Sequence, residues 1–312
     1  MGEPAMRIQA PAKLNLCLFL GPVRADGLHE LCSLFEPLAL ADSIRVAEAE
    51  RDEVHCPGVE GENLAARALA ALRARGWDGP PLRLEIEKRT PVAAGLGGGS
   101  ADAAAVLRLV RDGLAGRIAG GEKATAIGDL ENVAAELGAD VPSQLVPALS
   151  LVGGAGERVE RLPEPANHAV VLLPSGGGLS TAAVFTEADR LGLSRPAEEL
   201  EELAACLREM AGAGASPLEY AELLANDLEP AARSLRPEIG DALDALRDAG
   251  APLVFMSGSG PTAVGLFPDL SAARHAATQL DPDHQPSLHP PAHMAGKRKL
   301  DEVIVCEAGR AP

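Results

Sequence analysis

The sequence predicts an α/β (α+β) protein of two domains, and three features of the chain carry that reading. Strand-like alternation and helix-like periodicity succeed one another through the first half. A stretch dominated by Gly, Glu, Arg and Pro interrupts the pattern at residues 153–165. The second half reads β, helices, β, β, α, β, the split βαβ order of a ferredoxin-like domain with helices inserted. The length of 312 residues agrees, at roughly 150 residues per domain. The division is expected at residues 1–158 and 159–312.

Each element has a local reason. In residues 13–21, Leu14, Leu16, Leu18 and Leu20 alternate with Asn15, Cys17 and Phe19, as in a strand with one apolar face. Asn63 can cap a helix in which Leu64, Ala68 and Leu72 share a side, ending near Gly76. Residues 82–87 set Leu82, Leu84 and Ile86 against Arg83, Glu85 and Glu87, a strand with one wet face. A helix is expected from Ser100 to about Arg111, with Ala104 and Leu107 inward. Another precedes Gly138, with Leu130, Val133, Ala134 and Leu137 at helical spacing. Past the junction come a strand at 169–173, helices from Thr181, Pro196, Pro217 and Pro237, strands at 253–256 and 262–267, a helix at 271–280 and a final strand at 302–306. Residues 281–299 read as a long loop.

Composition excludes several classes of function. The chain is 46% hydrophobic and 23% charged, ordinary for a globular core, and its 28 Lys and Arg against 45 Asp and Glu give a net charge of -17. That field repels polyanions, so neither nucleic acid nor an anionic membrane is expected as a partner. A small phosphorylated substrate held by a local cation cluster remains compatible. Cys17, Cys32, Cys56, Cys206 and Cys306 are scattered with no CxxC spacing and read as reduced thiols of a cytoplasmic protein. The first residues, with Glu3 and Pro4, lack the pattern of an export signal. The longest uncharged stretch, 249–268, is broken by Gly250, Pro252, Gly258, Gly260 and Pro261, so it reads as a glycine loop between strands rather than a membrane span.

The strongest chemical signal is Pro91-Val92-Ala93-Ala94-Gly95-Leu96-Gly97-Gly98-Gly99-Ser100-Ala101-Asp102, set between a strand and a helix. Glycines let backbone N–H groups approach an anion, and the helix N-terminus adds partial positive charge where phosphates would rest. The loop lacks the third glycine of the dinucleotide fingerprint and the Gly-Lys-Ser/Thr ending of a P-loop. A second glycine loop, Ser257-Gly258-Ser259-Gly260-Pro261, reads alone as a tight turn between two strands, but two such loops can face each other across a cleft. Taken singly, Asp140 reads as a turn residue, Lys13 as a solvated cation and His29 as a turn histidine. His284, His289 and His293 lie in a Pro-rich setting without ligand spacing and read as solvated, so no protein metal site is expected.

Taken together, Pro11-Ala12-Lys13-Leu14-Asn15-Leu16, the stretch from Ala25 to Leu31, the loop from Pro91, Leu137-Gly138-Ala139-Asp140-Val141-Pro142 and Gly258-Ser259-Gly260-Pro261-Thr262 resemble, in order, the kinase family named for galactokinase, homoserine kinase, mevalonate kinase and phosphomevalonate kinase. The resemblance covers the chain from Pro11 to about Phe267. It implies a small-molecule kinase fold: an N-terminal ATP-binding domain, a ferredoxin-like C-terminal domain, and ATP and acceptor meeting in the cleft between them. It implies that Pro91 to Ala101 wrap the ATP phosphates, with Ser100 contacting Mg²⁺; Asp129 and Glu131 are the two candidates for a second carboxylate, and the sequence does not choose between them. It further implies Asp140 as catalytic base, Lys13 as its partner, Asn15, His29, Asp140 and Phe185 on the acceptor, and Gly258, Ser259 and Gly260 lining the cleft.

The motifs are nearest to the branch that phosphorylates the 2-hydroxyl of a cytidine-diphosphate-linked methylerythritol in non-mevalonate isoprenoid precursor synthesis. Homoserine, a mevalonate-type acceptor or a non-catalytic ATP-binding role are the alternatives. Where many members carry a Tyr that stacks on the cytosine this chain has Leu28, a change worth about 1–3 kcal/mol of base stacking. The partners implied are a small molecule alone, with the chain a monomer or weak homodimer.

Overall fold

The computed structural model describes residues 6–59, 61–113, 130–281, 303–309 and 311–312. The first half is organised by two long antiparallel strands, β1 (Met6–Val23) and β2 (His29–Glu48), joined by a turn at residues 24–28. One edge of β2 carries β1. Its other edge receives three strands in succession: β5 (Ser150–Gly154) at residues 31–35, β10 (Ile304–Ala308) at Leu38, and β4 (Leu82–Glu87) at residues 43–48. A short β3 (Glu53–His55) adds parallel to β4, and β6 (Arg158–Arg161) pairs with β5. The strand expected at 13–21 is thus the middle of β1, and β2 was not anticipated. Buried on both faces through residues 32–38, β2 shows no alternation there, and Pro37 breaks its sequence pattern.

Helices α1 (Leu64–Ala74), α2 (Gly98–Arg111) and α3 (Leu130–Leu137) pack on this sheet through Leu69, Leu72, Leu107, Leu109 and Val133 against Ile44, Val46, Leu82 and Leu84. Asn63 caps α1 as expected, its side chain accepting from Ala65 N at 2.8 Å. Helix α2 begins at Gly98 rather than Ser100, because Gly97 takes the left-handed conformation that turns the loop into the helix two residues earlier. A four-residue helix, α4 (Val141–Gln144), follows Asp140. Residues 153–161, read as part of a junction, form the end of β5, the turn and the outer strand of the β5–β6 hairpin on the first sheet.

The second sheet has the order β10, β7 (His168–Leu173), β9 (Ala263–Phe267), β8 (Leu253–Met256), every pair antiparallel. In chain order that is fourth, first, third, second, the ferredoxin-like arrangement. Between β7 and β8 lie α5 (Thr181–Leu191), α6 (Ala197–Gly212), a 3₁₀ helix Pro217–Leu223 where an α-helix was expected, α7 (Glu229–Leu235), which was not anticipated, and α8 (Glu238–Asp248). Helix α9 (Leu270–Leu280) precedes β10, which starts two residues later than expected.

Val170 and Leu172 of β7 join a central core with Leu14, Leu34, Leu38 and Leu207, whereas Ala169, Val171 and Leu173 face Ile239, Leu243 and Leu246 of α8. The two sheets meet where Ala308 pairs with both Leu38 and His168. There the buried Glu36 carboxylate lies 3.0 Å from His168 Nε2. The loop expected at 281–299 lies, after Asp281, outside the described residues, as do His284, His289 and His293.

Candidate active site

Lys13 and Asn15 lie between two irregularities in the β1–β2 register, at Pro11/Lys13 and Asn15/Cys17, where extra residues bend the strand and re-aim side chains. The Lys13 ammonium is buried, 4.4 Å from the ring centroid of Phe35, the residue paired across the strands with Asn15. It donates to Asn15 Oδ1 at 2.5 Å and lies 3.2 Å from Asp140 Oδ2. The Asn15 amide is oriented from behind: its Nδ2 donates to Ser33 Oγ at 2.9 Å, and that hydroxyl donates to Cys17 O at 2.5 Å. Asp140 occupies the cap position of α4, yet its side chain makes no capping bond. The carboxylate, 31% exposed, is left to Lys13 and the cleft.

Facing this pair is the first glycine loop. Gly95 and Gly97 have φ of 77° and 67°. A Cβ on Gly97 would stand 2.9 Å from both Cγ and Cε of Lys13, so the lysine stem runs directly over loop backbone. Lys13 N donates to Leu96 O at 2.9 Å, which ties β1 to the loop. No side chain caps α2, so its first-turn N–H groups, at Gly98, Gly99 and Ser100 on the cleft wall, form an anion seat. The second glycine loop touches the first. Ser257 Oγ donates to Gly95 O at 3.1 Å and accepts from Asn15 N at 3.2 Å, while Ser259 Oγ lies 3.0 Å from Thr181 Oγ1 at the start of α5.

Behind the anion seat is a charge cluster that the sequence did not reveal. Lys88 Nζ donates to Asp102 Oδ2 at 2.8 Å and to Asp42, whose Oδ1 also accepts from Arg89 N and Thr90 N at 2.6 and 2.7 Å. Burial drives the Lys88 ammonium down, but the two carboxylates lift it further, and the net direction is upward. Burial raises the Asp102 carboxyl to about 7, with Lys88 opposing and Asp42 adding to the rise. Asp102 Oδ1 is buried with no hydrogen-bond partner among the described residues.

These groups line one cleft of about 520 Å³ that runs from Phe185 and Thr181, past Lys13, Asn15 and Asp140, along residues 91–100, to Cys56 and Asn63. Of the residues expected at the site, Lys13, Asn15, Asp140, Phe185, Gly258, Ser259, Gly260 and Pro91 to Ser100 all line it. Ala101 does not, being fully buried behind the loop. The His29 ring is also off the cleft wall: it is buried, with Nδ1 3.0 Å from Gly21 O, Nε2 3.0 Å from Asp189 Oδ1, and the Phe185 ring 5.6 Å away. Leu28 is 55% exposed at the hairpin tip. Glu131 is exposed on α3 and does not reach the cleft, which corrects its reading as a metal carboxylate; Asp129 lies outside the described residues. The residues missed are Ser33 and Phe35, from the unanticipated β2, and Lys88, a single polar position with no motif of its own; Ser257 reads from the sequence only as part of a tight turn.

A carboxylate that can take a proton, a cation and an amide beside it, and an anion seat a few residues away together suit phosphoryl transfer to a hydroxyl. Comparison with known proteins agrees. Residues 63–147 match the family model "GHMP kinases N terminal domain" and residues 197–285 match "GHMP kinases C terminal". A relative from Streptomyces avermitilis named 4-diphosphocytidyl-2-C-methyl-D-erythritol kinase is 39% identical over 287 residues, 88% of this chain and 92% of that protein. One of the same name from Anaeromyxobacter dehalogenans is 41% identical over 289 residues, 87% of this chain and 83% of that protein. A crystal structure of 4-(cytidine 5'-diphospho)-2C-methyl-D-erythritol kinase superposes with a TM-score of 0.74 at 33% identity, covering 98% of this chain and 100% of that one. Homoserine kinase from Cytophaga hutchinsonii, at 18% identity and a TM-score of 0.66 over 90% of this chain and 91% of its own, shares the fold.

Proposed function

The chain belongs to the GHMP kinase family, and from that premise we propose that it uses ATP to phosphorylate the 2-hydroxyl of 4-diphosphocytidyl-2-C-methyl-D-erythritol in isoprenoid precursor synthesis. The observation that carries the site assignment is the Lys13–Asp140 pair, 3.2 Å apart, with Asn15 on the same ammonium and the glycine loop against the lysine stem.

In this reading Asp140 takes the proton of the acceptor hydroxyl as that oxygen bonds to the γ-phosphorus, and the bond from that phosphorus to the ADP oxygen breaks. Lys13 polarises the hydroxyl and offsets the developing charge. Asn15 fixes the polyol, and the N–H groups of residues 95–100 hold the phosphates through the change in charge. The acceptor is a tertiary alcohol of low acidity, so alignment in the cleft contributes more than basicity. Mg²⁺ would travel with ATP and neutralise its phosphates. The Ser100 hydroxyl on the cleft wall fits that ion, and among the described residues no group of three or more His, Cys, Asp or Glu offers a separate metal site.

Phe185 is assigned to the cytidine end of the cleft, with the buried His29 ring supporting it from behind. The non-aromatic Leu28 favours, as a second reading, the same chemistry on another acceptor such as homoserine or a mevalonate derivative. Among the described residues no helix is long and apolar enough to cross a membrane, and the five cysteines are free. Free thiols suit the proposed cytoplasmic setting. ADP release measured with each acceptor in turn decides: release dependent on the cytidine diphosphate acceptor supports the first reading, and release only with another acceptor supports the second.

A further inference from the structure

Residues 224–228, between the 3₁₀ helix and α7, form a strap across β1. Leu18 N donates to Ala225 O and Asp227 N donates to Leu18 O, each at 2.8 Å. From this strap the half-buried Asn226 side chain makes three bonds, all to backbone. Its Nδ2 donates to Met256 O at 2.7 Å and to Gly258 O at 2.8 Å, and its Oδ1 accepts from Leu228 N at 2.9 Å. Met256 and Gly258 flank Ser257, whose hydroxyl joins the two glycine loops and β1. The fit between the loops is close: a Cβ on Gly258 would meet Asn15 Oδ1 at 2.9 Å, and one on Gly95 would meet Ser257 O at 2.6 Å. Only a side chain with two N–H donors on one nitrogen and an acceptor oxygen beside it can hold carbonyls on both sides of Ser257 while its oxygen closes the turn to Leu228 N.

We propose that Asn226 is a positioning residue for the phosphoryl transfer. By anchoring both carbonyls that flank Ser257, it sets the hydroxyl that registers Gly95 and Asn15 against Lys13 and Asp140. The inference rests on the reading of the site given above. Asn226 itself touches none of the groups assigned to ATP or acceptor, so its effect falls on alignment, and a misplacement of about 1 Å in such a constellation costs roughly 100-fold.

The test compares Asn226→Asp and Asn226→Ala with Asp227→Asn. In Asn226→Asp an oxygen replaces the donor nitrogen and faces two carbonyls, while Oδ1 keeps its bond from Leu228 N. Asp227→Asn weakens the same strap on another side, where Asp227 Oδ2 accepts from Leu20 N at 3.0 Å and Arg195 Nε at 2.6 Å, away from the glycine loops. Measured well below each melting point and per folded molecule, kcat is expected to fall about 10- to 100-fold in Asn226→Asp, with both KM values little changed. Asp227→Asn is expected to lower the melting point and keep kcat. Asn226→Ala answers the question if the aspartate variant does not fold.

Hydrogen exchange reads the same proposal without any acceptor. Exchange should quicken at the amides of Asn15, Ser257 and Gly260 in the Asn226 variants and not in Asp227→Asn. A kcat within twofold of wild type, equal losses in the Asn226 and Asp227 variants, or unchanged exchange at those amides would each overturn the proposal. If wild type releases no ADP with the acceptor, the functional reading fails, and the exchange experiment still decides the role of Asn226.

Discussion

Replacing Gly95 by alanine should separate the two glycine loops. Gly95 has φ of 77°, a conformation that costs an L-residue on the order of 1–2 kcal/mol. Its new Cβ would stand 2.6 Å from Ser257 O and 2.8 Å from Gly260 O, both backbone atoms that no rotamer change can move aside. Relieving those contacts parts the loops by roughly 1 Å, and overpacking of this kind adds about 1–3 kcal/mol. The total is about 2–5 kcal/mol, or a melting point lower by about 5–15 °C. Because the same shift pulls Gly95 from the Ser257 hydroxyl that registers Asn15, kcat/KM should fall about 100-fold.

Gly192→Ala is the matched control. That glycine ends α5 with φ of 68°, and a Cβ there meets nothing within 4 Å, so it carries the conformational cost alone. Thermal melting and ADP release on both variants are the assays. If Gly95→Ala kept kcat/KM within a few-fold of Gly192→Ala, contact between the glycine loops would not control the chemistry.

Three further outcomes are expected. Burial lowers the His168 imidazolium, but the Glu36 carboxylate and the Ala166 carbonyl together raise it by more, so its pKa lies above the ordinary 6.5. The resulting stabilisation is complete below that value and is lost as pH rises through the raised folded-state pKa, so the melting point should fall as pH rises above 6.5, and Glu36→Gln should flatten that fall. Lys88→Met leaves Asp42 and Asp102 buried without their cation and should cost about 3–5 kcal/mol in denaturant unfolding, part of it regained by adding Asp102→Asn. Leu28→Tyr should lower the acceptor KM by about 5- to 150-fold, with kcat and the KM for ATP unchanged, if the exposed tip of the hairpin covers the base. An unchanged acceptor KM would place the base elsewhere.

The glycine loop, Lys13, Asn15 and Asp140 were legible in the sequence because each belongs to a motif, and the second half was legible because its strands and helices have distinct periods. Strand β2 was not: with both faces buried and Pro37 inside it, it has no alternation to read, so Ser33 and Phe35 were missed with it. Lys88 and Asn226 have no local signature, since their partners are carboxylates and carbonyls 14 to 46 residues away in the chain, Asp102 and Asp42 for Lys88 and the carbonyls of Met256 and Gly258 for Asn226. His29 shows the converse. Its motif pointed to ligand contact, but the fold spends both ring nitrogens on Gly21 O and Asp189 and presents Phe185 to the cleft instead.

The Lys13–Asp140 assignment is tested most directly by ADP release with ATP and Mg²⁺, with and without 4-diphosphocytidyl-2-C-methyl-D-erythritol, for wild type and Asp140→Asn. The account predicts acceptor-dependent release by wild type and a loss of about 100- to 10,000-fold in the variant, with ATP binding retained. Turnover by Asp140→Asn within a few-fold of wild type would contradict it.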